Sequence, residues 1–167
     1  GQNERKILRD LGVKFGRYHI FLHKLIKPEP VTLRTLLWKN YHQKYFKLKP
    51  PTFGLNFIDD TDNKNKNFML LCGFEKFDNF FVRIDILERL FMQIINSGSD
   101  ENKVIKLIPE MLNLLGCSKD NFKKLIQKMN YKITEKNEDI FFKYIPKKKF
   151  KKNYDKKIKK ESPFQVL

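Results

Sequence analysis

The sequence predicts an α/β (α+β) chain, and three observations carry that prediction. Residues 13 to 84 alternate apolar side chains at strand spacing around one helical stretch. Residues 85 to 145 follow the order helix, strand, helix, helix, strand, strand, which is the order of a winged helix. Beyond Pro146 the apolar pattern gives way to a run of lysines. The expected division is a mixed subdomain at 1–78, a winged-helix subdomain at 79–146 and a disordered basic tail at 147–167.

Taken in order, residues 1 to 11 form a charged amphipathic segment with Ile7, Leu8 and Leu11 on one side and Gly12 as its stop. With no Met at its start, the chain reads as a processed product or as the continuation of a longer protein. Val13 and Phe15, then Tyr18, Ile20 and Leu22, alternate as half-buried strands do. Pro28 and Pro30 bracket a turn, after which Thr32 is expected to cap a helix carrying Leu33, Leu36, Leu37 and Tyr41. Pro50-Pro51 ends that order, and Phe53, Leu55 and Phe57 alternate as a strand. Residues 59–67, DDTDNKNKN, read as an exposed, mobile loop, and Phe68 to Phe74 as a short buried strand. The subdomain boundary is expected at 75–79, where Glu-Lys-Phe-Asp-Asn breaks the apolar pattern. Phe80, Val82 and Ile84 then alternate into a helix.

That helix starts at Asp85-Ile86-Leu87-Glu88, a capping-box-like arrangement, and carries Leu87, Leu90, Phe91 and Ile94 on one stripe. Lys103 to Ile108 is expected to be extended, because Pro109 disfavours a helical residue before it. Pro109 opens a short helix with Met111, Leu112 and Leu115 inward, and Gly116 closes it. Ser118 caps the next helix, whose stripe is Phe122, Leu125, Ile126 and Met129, and Asn130 suits a left-handed end. Tyr131 to Thr134 and Ile140 to Ile145 flank the polar turn at 135–139, giving a hairpin in the position of a wing.

With 167 residues and 41% apolar side chains, the chain is long enough to bury a core. A net charge of +16 implies an anionic partner, most often nucleic acid. Residues 147–160 hold nine Lys and one Asp, so half of that charge lies in one short stretch. Lys outnumbers Arg by 29 to 6, a bias that AT-rich coding sequence also produces. Cys72 and Cys117 form no C-x-x-C pair and are expected to be reduced thiols of an intracellular, cytoplasmic protein. No apolar run approaches a membrane span and no signal-peptide pattern opens the chain, so no membrane partner is expected.

Several stretches resemble a known family. GVKFGRYHIFLHKLIKP, TLRTLLW, CGFEKF, VRIDILERL, LLGCS, Asn130-Tyr131 and the terminal SPFQVL resemble the region downstream of the motor in a bacterial, alphaproteobacterial-type superfamily 2 helicase family. That family is related to the mitochondrial degradosome RNA helicase. The resemblance implies that this chain is the C-terminal accessory part of an ATP-dependent helicase, with residues 1–78 packed on the motor. ATP and magnesium would then belong to the motor, and no cofactor to this chain. The family usually has Gly where Asn130 stands and an Arg/Pro-rich tail where this chain is Lys-rich. The glycines at 1, 12, 16, 54, 73, 98 and 116 do not supply a Walker A loop.

The expected nucleic-acid contacts are Lys119, Lys123, Lys124 and Lys128 on the last helix, with Gln127 on the same face, and Lys136 and Lys143 on the wing. In the tail, Lys147, Lys148, Lys149, Lys151 and Lys152 would tether phosphates, while Phe150 and Tyr154 would stack on single-stranded RNA or DNA. Affinity without much base readout is expected, since lysines contact phosphate irrespective of sequence. Asp85 and Glu88 suit capping better than a catalytic carboxylate pair. His19 and His23 lack a third metal ligand, and an EF-hand loop from Asp60 would want Gly at 65 and Glu at 71, where Asn and Leu stand. Two further readings are a protein- or ribosome-docking module and a small nuclease using Asp85 or the acidic loop.

Overall fold

The computed structural model describes residues 1–43, 46–97, 104–137 and 139–146, and there the chain is mixed α/β, as expected. Helix α1 (Gln2–Asp10) leads into a hairpin of β1 (Val13–Phe15) and β2 (Ile20–Leu22). A 3-10 turn at His23–Ile26 precedes α2 (Pro28–His42), β3 (Phe57–Asp59), α3 (Lys66–Leu71), β4 (Phe74–Phe77) and β5 (Phe80–Arg83). Then come α4 (Ile84–Ser97), β6 (Ile105–Lys106), α5 (Pro109–Leu115), α6 (Lys119–Lys128), β7 (Tyr131–Lys136) and β8 (Asp139–Tyr144).

The sheet β3-β5-β4 is the middle layer, and its central strand explains why. In β5 the two-residue period sends Phe80 and Val82 to one face and Phe81 to the other, and all three are fully buried. Phe80 and Val82 join the larger core, with Leu87, Leu90 and Phe91 of α4, Leu115 of α5 and Phe122 and Leu125 of α6. Phe81 joins a second core with Val31 of α2, Phe68 and Met69 of α3, and Cys72 and Phe74. A strand with apolar cores on both faces reads as an unbroken apolar run. The boundary expected at 75–79 falls on β4 and the turn that follows, and β5 pairs with both β3 and β4.

From α4 to β8 the observed order is the expected helix, strand, helix, helix, strand, strand. Pro109 is the first residue of α5, and Gly116 ends that helix at φ 69°. The Ser118 side chain accepts the Asn121 N–H at the start of α6, and Asn130 takes φ 67° beyond its end. Strand β8 lies between β6 and β7, so β6 pairs along the outer edge of the β7–β8 hairpin.

Four expectations are corrected. Phe68 to Phe74 is not a strand: residues up to Leu71 are helical, because the Asn65 side chain accepts the Phe68 N–H and caps α3. Thr32 is not a cap but lies one turn inside α2, donating its hydroxyl to the Pro28 carbonyl, while Pro28 itself opens the helix. That shift turns α2 over. Val31 and Thr35 are its buried residues, whereas Leu33, Leu36, Leu37 and Tyr41 are 57 to 84% exposed. Phe53 and Leu55 lie outside β3 and are exposed. Lastly, 59–67 is largely exposed, as expected, but is not loop throughout: Asp59 ends β3 and Lys66 opens α3, and between them the Asp60 carboxylate accepts the Lys64 N–H at 2.7 Å and pairs with Lys76 at 2.7 Å.

The two faces of α2 make a direct test. Val31→Ala should cost roughly 2 kcal/mol in urea denaturation, because it opens space in the second core. Leu36→Ala should stay within about 0.5 kcal/mol, as substitutions on a solvated face do.

Candidate nucleic-acid interface

Helix α6 presents the expected lysines, but two of the four are already engaged. Lys119 and Lys124 are exposed. Lys123 reaches Glu135 of β7 at 2.9 Å and lies 3.8 Å from Asp120, and the hydrogen bond to Glu135 holds its ammonium pKa above the ordinary value. Lys128 pairs with Asp78 in the β4–β5 turn at 3.2 Å. These two lysines therefore brace α6 against its neighbours, and Lys119 and Lys124 remain for an outside anion. Lys136 ends β7, exposed, opposite Asp139 of β8. Lys147, Lys148, Lys149, Phe150, Lys151, Lys152 and Tyr154 lie outside the described residues.

The strand register places a further group of lysines that the sequence reading only touched. Tyr131, Ile133 and Glu135 of β7 share the core-facing side of the sheet with Ile140, Phe142 and Tyr144 of β8. The other side carries Lys132, Thr134 and Lys136 from β7, Asp139, Phe141 and Lys143 from β8, and Lys106 from β6 opposite Phe141. Simple alternation in YKITEK and DIFFKY is the signal that finds this face once the pairing is known.

The carboxylates singled out in the sequence have structural partners. The capping-box reading of Glu88 is corrected. Its side chain accepts the backbone N–H groups of Arg17, Tyr18 and His19 at 2.6, 2.9 and 2.9 Å, and lies 3.2 Å from His19 Nδ1. Three successive amides in a tight loop form a concave donor set that suits one anion, here supplied about 70 residues later in the chain. Asp85 accepts two contacts from the Arg83 guanidinium, at 2.7 and 3.2 Å, and the Ile86 N–H at 2.9 Å. His23 Nδ1 stands 3.9 Å from it.

Both cysteines are free, and burial pushes each thiol up to about 11, so neither is a thiolate near neutral pH. Among the described residues no three His, Cys, Asp or Glu side chains come together as metal ligands, and no helix is long and apolar enough to cross a membrane. The chemistry on offer is electrostatic and aromatic: lysines on two surfaces, one with a phenylalanine among them. No family model matches the chain, and neither a curated protein nor a solved structure matches it.

The Glu88 contact sets a stability test. Glu88→Ala leaves three loop amides without their acceptor, and Gly16→Ala would place a Cβ 2.2 Å from Glu88 Cδ. Each should lower unfolding free energy by at least about 2 kcal/mol in urea titrations, whereas Gly54→Ala's neighbour-free Cβ isolates the cost of a positive φ alone.

Proposed function

We propose that this chain is the nucleic-acid-binding accessory part of an ATP-dependent helicase, and that residues 84–144 act in it as a winged helix. The observation that carries the reading is the distribution of charge over this topology. The acids near the lysines of α6 are held in ion pairs, and exposed lysines remain on α6 and on the β6-β8-β7 sheet of a chain with net charge +16. The helix order and the strand order β6-β8-β7 support the winged-helix part of the reading. The sequence resemblance to the helicase family supports the parent motor.

In this reading the chain steers a single strand along its surface by phosphate contacts, and ATP hydrolysis belongs to residues outside it. Lysine contacts of this kind give affinity that falls with salt and little dependence on base sequence. RNA and DNA single strands would both be bound, in a cytoplasmic setting.

A second reading, a protein- or ribosome-docking module, is favoured by one observation. Leu33, Leu36, Leu37 and Tyr41 line one exposed side of α2, an apolar stripe of the kind that packs against another protein. The two readings are compatible if α2 faces the motor.

Anisotropy of labelled single-stranded RNA and DNA, titrated across several salt concentrations, tests the proposal. The full chain and a chain ending at Pro146 should both bind, the shorter one with a flatter salt slope by about 0.7 for each lost phosphate contact. Absence of binding by both would leave the docking reading.

A further inference from the structure

We infer that the outer face of the β6-β8-β7 sheet is a stacking platform for single-stranded nucleic acid, with Phe141 under a base and Lys132, Lys136 and Lys143 around it for phosphates. The inference rests on the nucleic-acid reading above and gives it a second, distinct surface.

The argument starts from register. Lys132 and Lys143 are direct cross-strand partners, so two like charges face each other on one side of an antiparallel pair. That arrangement gathers positive charge on one side of the sheet. Phe141 sits on the same face of the central strand, between Lys106 on one side and Thr134 on the other. It is half-buried, so part of the residue remains open to solvent. Exposed Val104 and Ile145 extend the apolar ground beside the Lys132–Lys143 pair, and these residues line one shallow depression with Thr134.

Charge selects the occupant. Among the described residues of this face the strands contribute four lysines against Asp139, which pairs with Lys106. An aromatic ring in a basic sheet matches a partner with alternating phosphates and unstacked π-faces, which is a single strand. A duplex keeps its bases stacked within itself and offers this ring nothing. In sequence, Ile145 leads through Pro146 into Lys147-Lys148-Lys149.

Stacking and phosphate contact leave different signatures, and the full chain can be tested for each by anisotropy against labelled single-stranded and double-stranded oligonucleotides over a range of salt. Phe141→Leu keeps an apolar side chain in the sheet and should weaken single-strand binding about tenfold with the salt slope unchanged. Phe141→Tyr should restore it. The double variant Lys132→Gln/Lys143→Gln should flatten the slope by about 1.4, two contacts' worth. Circular dichroism melts of each variant separate loss of binding from loss of fold. If the unaltered chain binds and both Phe141→Leu and the lysine pair bind like it, the platform is wrong and the face has another occupant, while the nucleic-acid reading stands. If the lysine pair weakens binding but Phe141→Leu does not, or duplex binds as tightly as single strand, stacking is overturned. If the unaltered chain binds no oligonucleotide, the nucleic-acid reading fails and this inference with it.

Discussion

The contact between the Glu88 carboxylate and the loop at residues 16–19 is the constraint on which the arrangement of the chain depends. Three backbone donors converge on one acidic side chain of the central helix α4, and that fastens the β1–β2 hairpin to the core. A carboxylate that accepts several amide hydrogen bonds is held far more firmly than an exposed ion pair. Neighbouring contacts follow from it. Tyr18 lies against Phe91 with ring centroids 4.4 Å apart, and the Arg17 guanidinium sits 5.0 Å from the Tyr144 ring centroid. The first hairpin thereby touches both α4 and the last strand, and Gly16 is glycine because Glu88 occupies the place of its side chain.

The same economy of acids shapes the surface. Glu88, Asp85, Asp60, Glu135 and Asp78 are each bound to a partner within the chain. Acids used in this way no longer offset the lysines that point outward, so the outward field is positive. Lys123 and Lys128 belong to the internal set, which makes α6 a poorer source of phosphate contacts than its sequence suggests. The sheet beside it carries the denser cluster. The exposed leucines of α2 have no such electrostatic role, and a parent motor is the partner proposed for them.

Local rules made the C-terminal half legible. Proline at a helix start, serine at a cap, glycine and asparagine at left-handed ends and a 3.6-residue stripe each act within a few residues, and each is found where the sequence puts it. The N-terminal half was less legible for identifiable reasons. Phe68 to Phe74 is too short for periodicity to separate helix from strand, and its cap, Asn65, is hidden in a polar run. Helix α2 has apolar residues on both sides, so its stripe of leucines drew attention away from Val31 and Thr35. The Glu88 contact spans about 70 residues and uses backbone donors, which no side-chain pattern announces. For the site, α6 was readable as a helix, but the pairing of Lys123 and Lys128 and the lysine face of the sheet required the strand register.

The central claim is that a single strand of nucleic acid lies on the lysine-bearing surfaces of residues 104–146. The most direct measurement is a two-dimensional amide correlation spectrum of the isotope-labelled full chain during titration with an unstructured oligonucleotide. The account predicts shifts at Lys106, Lys132, Thr134, Phe141 and Lys143 and at the Lys119 and Lys124 positions of α6, with Leu33, Leu36 and Leu37 of α2 unmoved. Shifts confined to α2, or a spectrum that does not change at saturating oligonucleotide, would contradict it.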